Sequence, residues 1–241
     1  MRAFVDALLS VLLAPRCAAC TVLLERPSEG PVCTQCWDSI LPLTPPLCEI
    51  CGDPLPSWRL VSLPIARCAR CRRLSRPLDR ARAIGAYEGV LRSIIHALKY
   101  DGRRSLARPL AALMKSRGAD LLTGADLVVA VPLHPSRRRE RGFNQAEDLA
   151  RHIGVPAIPV LRRVRRTLAQ AELPAAQRHG NVKDAFAVHG RADLLLGRIV
   201  VLIDDVSTTG ATLDACARAL KDGGAREVRA LTAARVLTRP R

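Results

Sequence analysis

Two sets of residues in this chain have the types and spacing to do chemistry. The first is eight of its nine cysteines, which fall into four Cys-x-x-Cys pairs: Cys17 with Cys20, Cys33 with Cys36, Cys48 with Cys51, and Cys68 with Cys71. Two residues between thiolates let a tight turn aim both sulfurs at one tetrahedral metal about 2.3 Å from each. Two such turns complete a four-cysteine site, and the gaps of 12 and 16 residues inside the successive quartets are close to zinc-ribbon spacing. The pattern predicts two structural zinc ions; spacing alone leaves open whether the quartets are consecutive or interleaved. A disulfide framework would need an oxidising compartment. Asp6 interrupts the opening apolar run and Arg16 directly precedes Cys17, so export is not expected and the cytoplasm is the expected location. A redox dithiol needs one activated thiolate at a helix start, which four pairs in a Pro-rich, strand-poor stretch do not offer.

The second set is the segment Ile199-Val-Val-Leu-Ile-Asp-Asp-Val-Ser-Thr-Thr-Gly-Ala-Thr-Leu213. Five β-formers end in two acids, and a hydroxyl-rich loop then leads into a helical pattern. At the C-terminal edge of a parallel sheet, such a loop offers backbone N–H groups, hydroxyls and the positive end of the next helix to one phosphate. Gly210 lets the backbone approach that phosphate closely, and Asp204 and Asp205 stand beside it, able to accept hydrogen bonds from ribose hydroxyls or to lie near a metal. The chain has no Gly-x-x-x-x-Gly-Lys-Ser/Thr loop, no Gly-x-Gly-x-x-Gly and no Gly-x-Ser-x-Gly, so competing phosphate and hydrolase motifs are absent.

This segment resembles the phosphoribosyl pyrophosphate loop of type I phosphoribosyltransferases. Together with Val131-Pro-Leu-His-Pro-Ser-Arg-Arg-Arg-Glu-Arg-Gly-Phe-Asn-Gln145, Arg166-Thr-Leu-Ala-Gln170, Arg178, Asn181, Ala185-Phe186 and the cysteine pairs, the chain is similar over nearly its whole length to the ComF family. The resemblance implies that Asp204 and Asp205 hold the ribose hydroxyls and that Ser207, Thr208, Thr209, Gly210, Ala211 and Thr212 wrap the 5-phosphate. It also implies a magnesium ion bridging pyrophosphate and ribose. Arg137, Arg138, Arg139 and Arg141 follow a strand end where related enzymes bind pyrophosphate. Arg165, Arg166, Thr167, Gln170 and Arg178 fall where such enzymes carry a loop over the active site. Lys99-Tyr100 resembles a family motif whose role the residues do not disclose. His134, in Pro-Leu-His-Pro, reads as a turn or backbone-bonding histidine before it reads as a catalyst, and Cys216 reads as a packing residue.

Elements must carry these groups. The chain has 241 residues, 49% of them hydrophobic and 25% charged, which suits one medium domain or two small ones and excludes wholesale disorder. No apolar run reaches the length of a membrane span. Residues 1–78 are expected to form an N-terminal helix and a double zinc ribbon, and residues 79–241 a phosphoribosyltransferase-like α/β domain, a parallel sheet flanked by helices. Phe4, Leu8, Val11 and Leu12 recur at helical spacing, predicting a helix that packs on the rest of the chain. Strands are predicted at 83–87, 127–131, 157–161 and 199–203, and helices at 90–98, 105–117 and 144–153.

Charge is unevenly spread. Before residue 78 the chain has nine basic and six acidic residues, net +3; after it, 29 basic and 16 acidic, net +13. Two tetrathiolate zinc sites at −2 each turn the first figure into about −1, so the ribbons are not an evident DNA-binding module. The basic field lies on the α/β part and suits polyanions. Two uses stay open: transfer of phosphoribosyl to a base or amine that no segment identifies, and non-catalytic binding of single-stranded DNA in uptake, which the family's association with competence implies. In a third, the zinc module acts as an adaptor for a helicase-like partner. Few aromatics lie in the basic part, so DNA contact would be mainly electrostatic.

Overall fold

The computed structural model describes residues 2–55, 66–165 and 184–237. The chain opens with α1 (Arg2–Leu13), and the cysteine-rich segment carries α2 (Thr34–Asp38) and α3 (Ala69–Arg73). β1 (Arg80–Ala83) leads through α4 (Gly89–Tyr100), α5 (Ala107–Arg117) and α6 (Ala119–Leu122) to β2 (Leu127–Ala130). Then come α7 (Pro135–Arg141), α8 (Gln145–Ala150), the short strands β3 (Leu161–Arg163) and β4 (Phe186–Val188), and β5 (Ile199–Ser207), α9 (Ala211–Asp222) and β6 (Glu227–Arg235).

β1, β6, β5 and β2 form, in that order, an all-parallel sheet, while β3 and β4 pair antiparallel in a separate ribbon. An unbroken apolar run such as Ile199–Ile203 suits a strand buried on both faces. Its alternate residues divide accordingly: Val201 and Ile203 join one core with α4, α5 and α8, and Val200 and Leu202 join the other with α9, β3 and β4. α4 is helical because Leu91, Ile94, Ile95 and Leu98 bury one stripe at the expected spacing. Among the described residues no helix is long and apolar enough to cross a membrane.

Four expectations need correction. α1 forms, but its apolar stripe does not pack: Phe4 is 75% and Val11 83% exposed. The residue turned inward is Asp6, whose Oδ1 accepts the Ser28 N–H at 2.9 Å and so rotates the stripe outward. The first strand sits at Arg80–Ala83; beyond it the chain stays against β6 through separate bonds, Ile84 N donating to Thr232 O at 3.2 Å, Gly85 O accepting from Arg235 N at 3.0 Å and Tyr87 N donating to Arg235 O at 2.7 Å. The strand expected at 157–161 is broken: Ala157 makes one parallel bridge with Val128, and pairing resumes at Leu161, which opens β3 opposite Val188; Pro156 and Pro159 have no N–H to give a continuous ladder. The expected turn after β2 ends in a helix: Pro135 opens α7 at its first position and His134 caps it, Nδ1 accepting from the Ser136 N–H at 3.2 Å. That is the backbone-bonding role read for His134.

Candidate functional site

The cysteines resolve into consecutive quartets, Cys17, Cys20, Cys33 and Cys36, and Cys48, Cys51, Cys68 and Cys71, with all four sulfurs of each within 4.8 Å of one another. A tetrahedron with 2.3 Å metal–sulfur bonds has edges of about 3.8 Å. The Cys17–Cys36 and Cys20–Cys33 sulfurs are 3.8 Å apart and Cys51–Cys68 3.6 Å, so both donor sets fit zinc. Backbone N–H groups also point at ligand sulfurs: Cys33 N lies 3.4 Å from Cys17 Sγ and Cys68 N 3.3 Å from Cys48 Sγ. Hydrogen bonds from Cys51, Cys68 and Cys71 hold Cys48 far below the ordinary thiol range, while Cys51 is pushed far above it. These are two structural zinc sites.

The second set of residues gathers at the C-terminal end of β5. A cavity of about 290 Å³ is lined by Asp204, Val206, the loop 207–210 and the first turn of α9 to Leu213, with Tyr87, Lys99, Tyr100 and Val236 across from them. β5 delivers the acids here because the sheet carries it through the middle, and Gly210, at φ +79°, turns the chain into α9. The first-turn amides of a helix have no intrahelical acceptor, and the residues that carry them line this cavity. Thr209 Oγ1 accepts the Ala211 N–H at 3.4 Å.

The two acids are not equivalent. Asp205 is buried and pairs with Lys99, Nζ to Oδ2 at 2.7 Å; its Oδ1 accepts the Val206 N–H at 2.6 Å. Asp204 lines the cavity, and its Oδ1 accepts the Asp205 N–H at 2.9 Å. Burial and then the neighbouring Asp205 charge push the Asp204 carboxyl well above the usual range, with Lys99 pulling the other way. Burial alone would lower Lys99, but the Asp205 carboxylate beside it leaves it raised. Lys99 is therefore a site residue whose role sequence reasoning missed. Its signal was there: in a chain with 38 Lys plus Arg, it is one of only four lysines.

The arginines divide. Arg141 lies over Tyr100, a residue of this cavity's wall, its guanidinium 4.8 Å from the ring centre, and bonds Gln145 Oε1 at 3.1 Å. Arg138 and Arg139 line a different, larger cavity of about 1000 Å³ beside the end of β2, which Arg151, Arg162 and Arg163 share. Arg138 pairs there with Glu147 at 2.8 Å. Arg137 lies 3.6 Å from Glu140. Arg166, like Thr167, Gln170, Arg178 and Asn181, lies outside the described residues. Cys216 is wholly buried in α9, as expected of a packing residue.

A doubly covered parallel sheet with an acid-hydroxyl-glycine loop at the end of its central strand, preceded by two four-cysteine sites, defines a phosphoribosyltransferase-type domain carrying a double zinc ribbon. Comparison with known proteins agrees: residues 8–72 match the double zinc ribbon domain and residues 139–240 the phosphoribosyl transferase domain. Competence protein F of Haemophilus influenzae is 30% identical over 223 residues, covering 88% of this chain and 93% of that protein. DNA utilization protein YhgH of Salmonella typhimurium is 32% identical over 232 residues, 92% of this chain and 97% of its own. Competence protein ComFC of Streptococcus pneumoniae is 28% identical over 155 residues, 64% and 67% of the two chains. The chain belongs to the ComF family.

Proposed function

We propose that this protein binds phosphoribosyl pyrophosphate, as its magnesium complex, in the cavity at the end of β5, and that it serves DNA uptake or use, as the names of its relatives suggest. The domain that does so begins near residue 78. One observation carries the reading: a single cavity holds a carboxylate, a run of hydroxyls and the start of a 12-residue helix. The loop 207–212 surrounds the 5-phosphate, where amides and the helix dipole favour an anion. Asp204 takes the ribose hydroxyls and Asp205, fixed by Lys99, backs it. Carboxylate and hydroxyl oxygens are hard donors that suit magnesium, and the ion would draw charge from the leaving pyrophosphate. Arg141, laid on the Tyr100 ring of the cavity wall, is the arginine we assign to that anion; Arg138 and Arg139 face the other cavity, Arg137 pairs with Glu140, and Arg166 lies outside the described residues. Transfer to a base or amine then needs no covalent nucleophile, only positioning and charge stabilisation.

The test is thermal stabilisation by phosphoribosyl pyrophosphate with magnesium. We expect a concentration-dependent rise in Tm that the double variant Asp204→Asn/Asp205→Asn lacks. Equal shifts in both proteins would reject the reading, and release of pyrophosphate with a panel of bases would separate an enzyme from a binding protein. The larger cavity favours a second use of the same domain. Its five arginines lie over an apolar floor that includes Ala130, Ile158 and Leu161, a surface suited to the backbone of single-stranded DNA. Binding to an oligonucleotide should then weaken steeply with salt and without sequence preference; salt-independent binding would contradict it.

A further inference from the structure

We infer that the second cysteine tetrad positions the phosphate loop through two buried arginines, Arg76 and Arg235, each of which touches the zinc-ribbon segment on one side and the loop on the other. The inference rests on the reading of that loop as the phosphoribosyl site and adds to it a structural dependence on zinc.

Arg76 follows the last ligand, Cys71, by five residues, and its side chain is only 5% exposed. Nη1 lies 3.8 Å from Cys71 Sγ, a geometry for donating to a zinc-bound thiolate. Nε donates to both oxygens of Asp214, at 2.9 and 3.0 Å, and Nη2 lies 2.8 Å from Oδ1. Asp214 belongs to the first turn of α9. Nη2 also fills the space beside Gly210: a Cβ there would lie 2.5 Å from it. One guanidinium thus touches a ligand sulfur, the loop backbone and the helix that follows.

Arg235 makes the second connection. It is 3% exposed at the end of β6, opposite Ser207 in the ladder, and its Nη1 lies 3.4 Å from Ser207 Oγ. Its Nε donates to Asp53 Oδ1, two residues after the ligand Cys51. Asp53 is held in turn, since its carbonyl accepts the Cys48 N–H at 2.8 Å. The knuckle is seated on the sheet: Ala81 N donates to Ile50 O at 2.6 Å, and Gly52 passes so close that a Cβ would lie 2.6 Å from Ala81 O. Metal holds Cys48, Cys51, Cys68 and Cys71 together, so its loss frees the anchor of both arginines. The first tetrad is seated elsewhere. Its segment meets the α4–α5 side, where Arg117 donates to Ile40 O at 2.5 Å and Ile84 O at 2.9 Å.

The test compares Arg76→Met with Arg117→Met and wild type in the full chain, measuring zinc content, hydrogen exchange of the loop amides, and phosphoribosyl pyrophosphate affinity by calorimetry. Arg76→Met should keep two zinc ions, exchange its loop amides faster and bind the ligand about tenfold more weakly, in line with other losses of a ligand-supporting contact. Arg117→Met should leave loop and affinity unchanged. Because coupling is reciprocal, the ligand should also raise the zinc affinity of one of the two sites in wild type, measured by chelator competition, which decides the matter if Arg76→Met fails to fold. Unchanged loop exchange in a folded, zinc-loaded Arg76→Met, or zinc affinity indifferent to the ligand in a wild type that binds it, would overturn the inference. If wild type binds no phosphoribosyl pyrophosphate, the functional reading falls, while the exchange measurement still decides the coupling.

Discussion

Replacing Lys99 with methionine removes the ammonium from a pair with little access to water, since the Lys99 and Asp205 side chains are 13% and 5% exposed. At 2.7 Å the bare attraction is about 6 kcal/mol for an effective dielectric near 20. Desolvation of the two ions opposes most of it. The variant suffers chiefly because a carboxylate stays buried without its partner, a change that costs about 3–5 kcal/mol. At about 2–4 °C per kcal/mol for a chain of this size, Tm should fall by about 6–20 °C. The pH dependence has a definite sign. Lys99 is raised in the folded state, so its contribution is complete at neutral pH and is lost only as pH climbs through its alkaline folded value. Asp204 is also raised, so the stability it controls is complete at acid pH and is lost as pH rises through its folded value. Lys99 is one of the groups holding Asp204 down, and without it that loss deepens. The deficit of Lys99→Met should therefore narrow as the protein is acidified. Urea denaturation of Lys99→Met, Asp205→Asn and the double variant provides the assay. The double variant should be more stable than the sum of the two losses predicts, because it leaves no unpaired charge. A loss below about 1 kcal/mol for Lys99→Met, the range of exposed pairs, or strict additivity in the double variant would refute the reasoning.

Gly210→Ala meets two obstacles, a φ of +79° and the Arg76 guanidinium 2.5 Å from the new Cβ. It should cost at least about 1–2 kcal/mol and abolish stabilisation by phosphoribosyl pyrophosphate; an unchanged melting curve with intact ligand response would contradict the close approach. Elemental analysis of protein purified without chelator should find two zinc ions per chain. Strong chelation should unfold the ribbon segment, because structural zinc contributes on the order of 10 kcal/mol to such modules; a chain with no zinc and an intact ribbon would contradict the metal assignment.

Sequence by itself determined what depends on residues close along the chain. Cys-x-x-Cys turns are local, so the zinc chemistry was legible before any fold. So was the strand-acid-loop-helix order of residues 199–213, because β propensity, a glycine at positive φ and a helix start are all set within a few residues. The buried stripe of α4 was equally plain. Tertiary structure decided what depends on distance in space. It assigned the cysteines to consecutive quartets, since either pairing satisfies the same spacing. It turned the apolar stripe of α1 outward, because one long-range bond from Ser28 to Asp6 sets the helix rotation. It sent Arg138 and Arg139 to one cavity and laid Arg141 on Tyr100, and it brought Lys99 to Asp205, and Arg76 to Asp214 across 138 positions of sequence. A buried ion pair leaves no local periodicity, because its partners are chosen by packing.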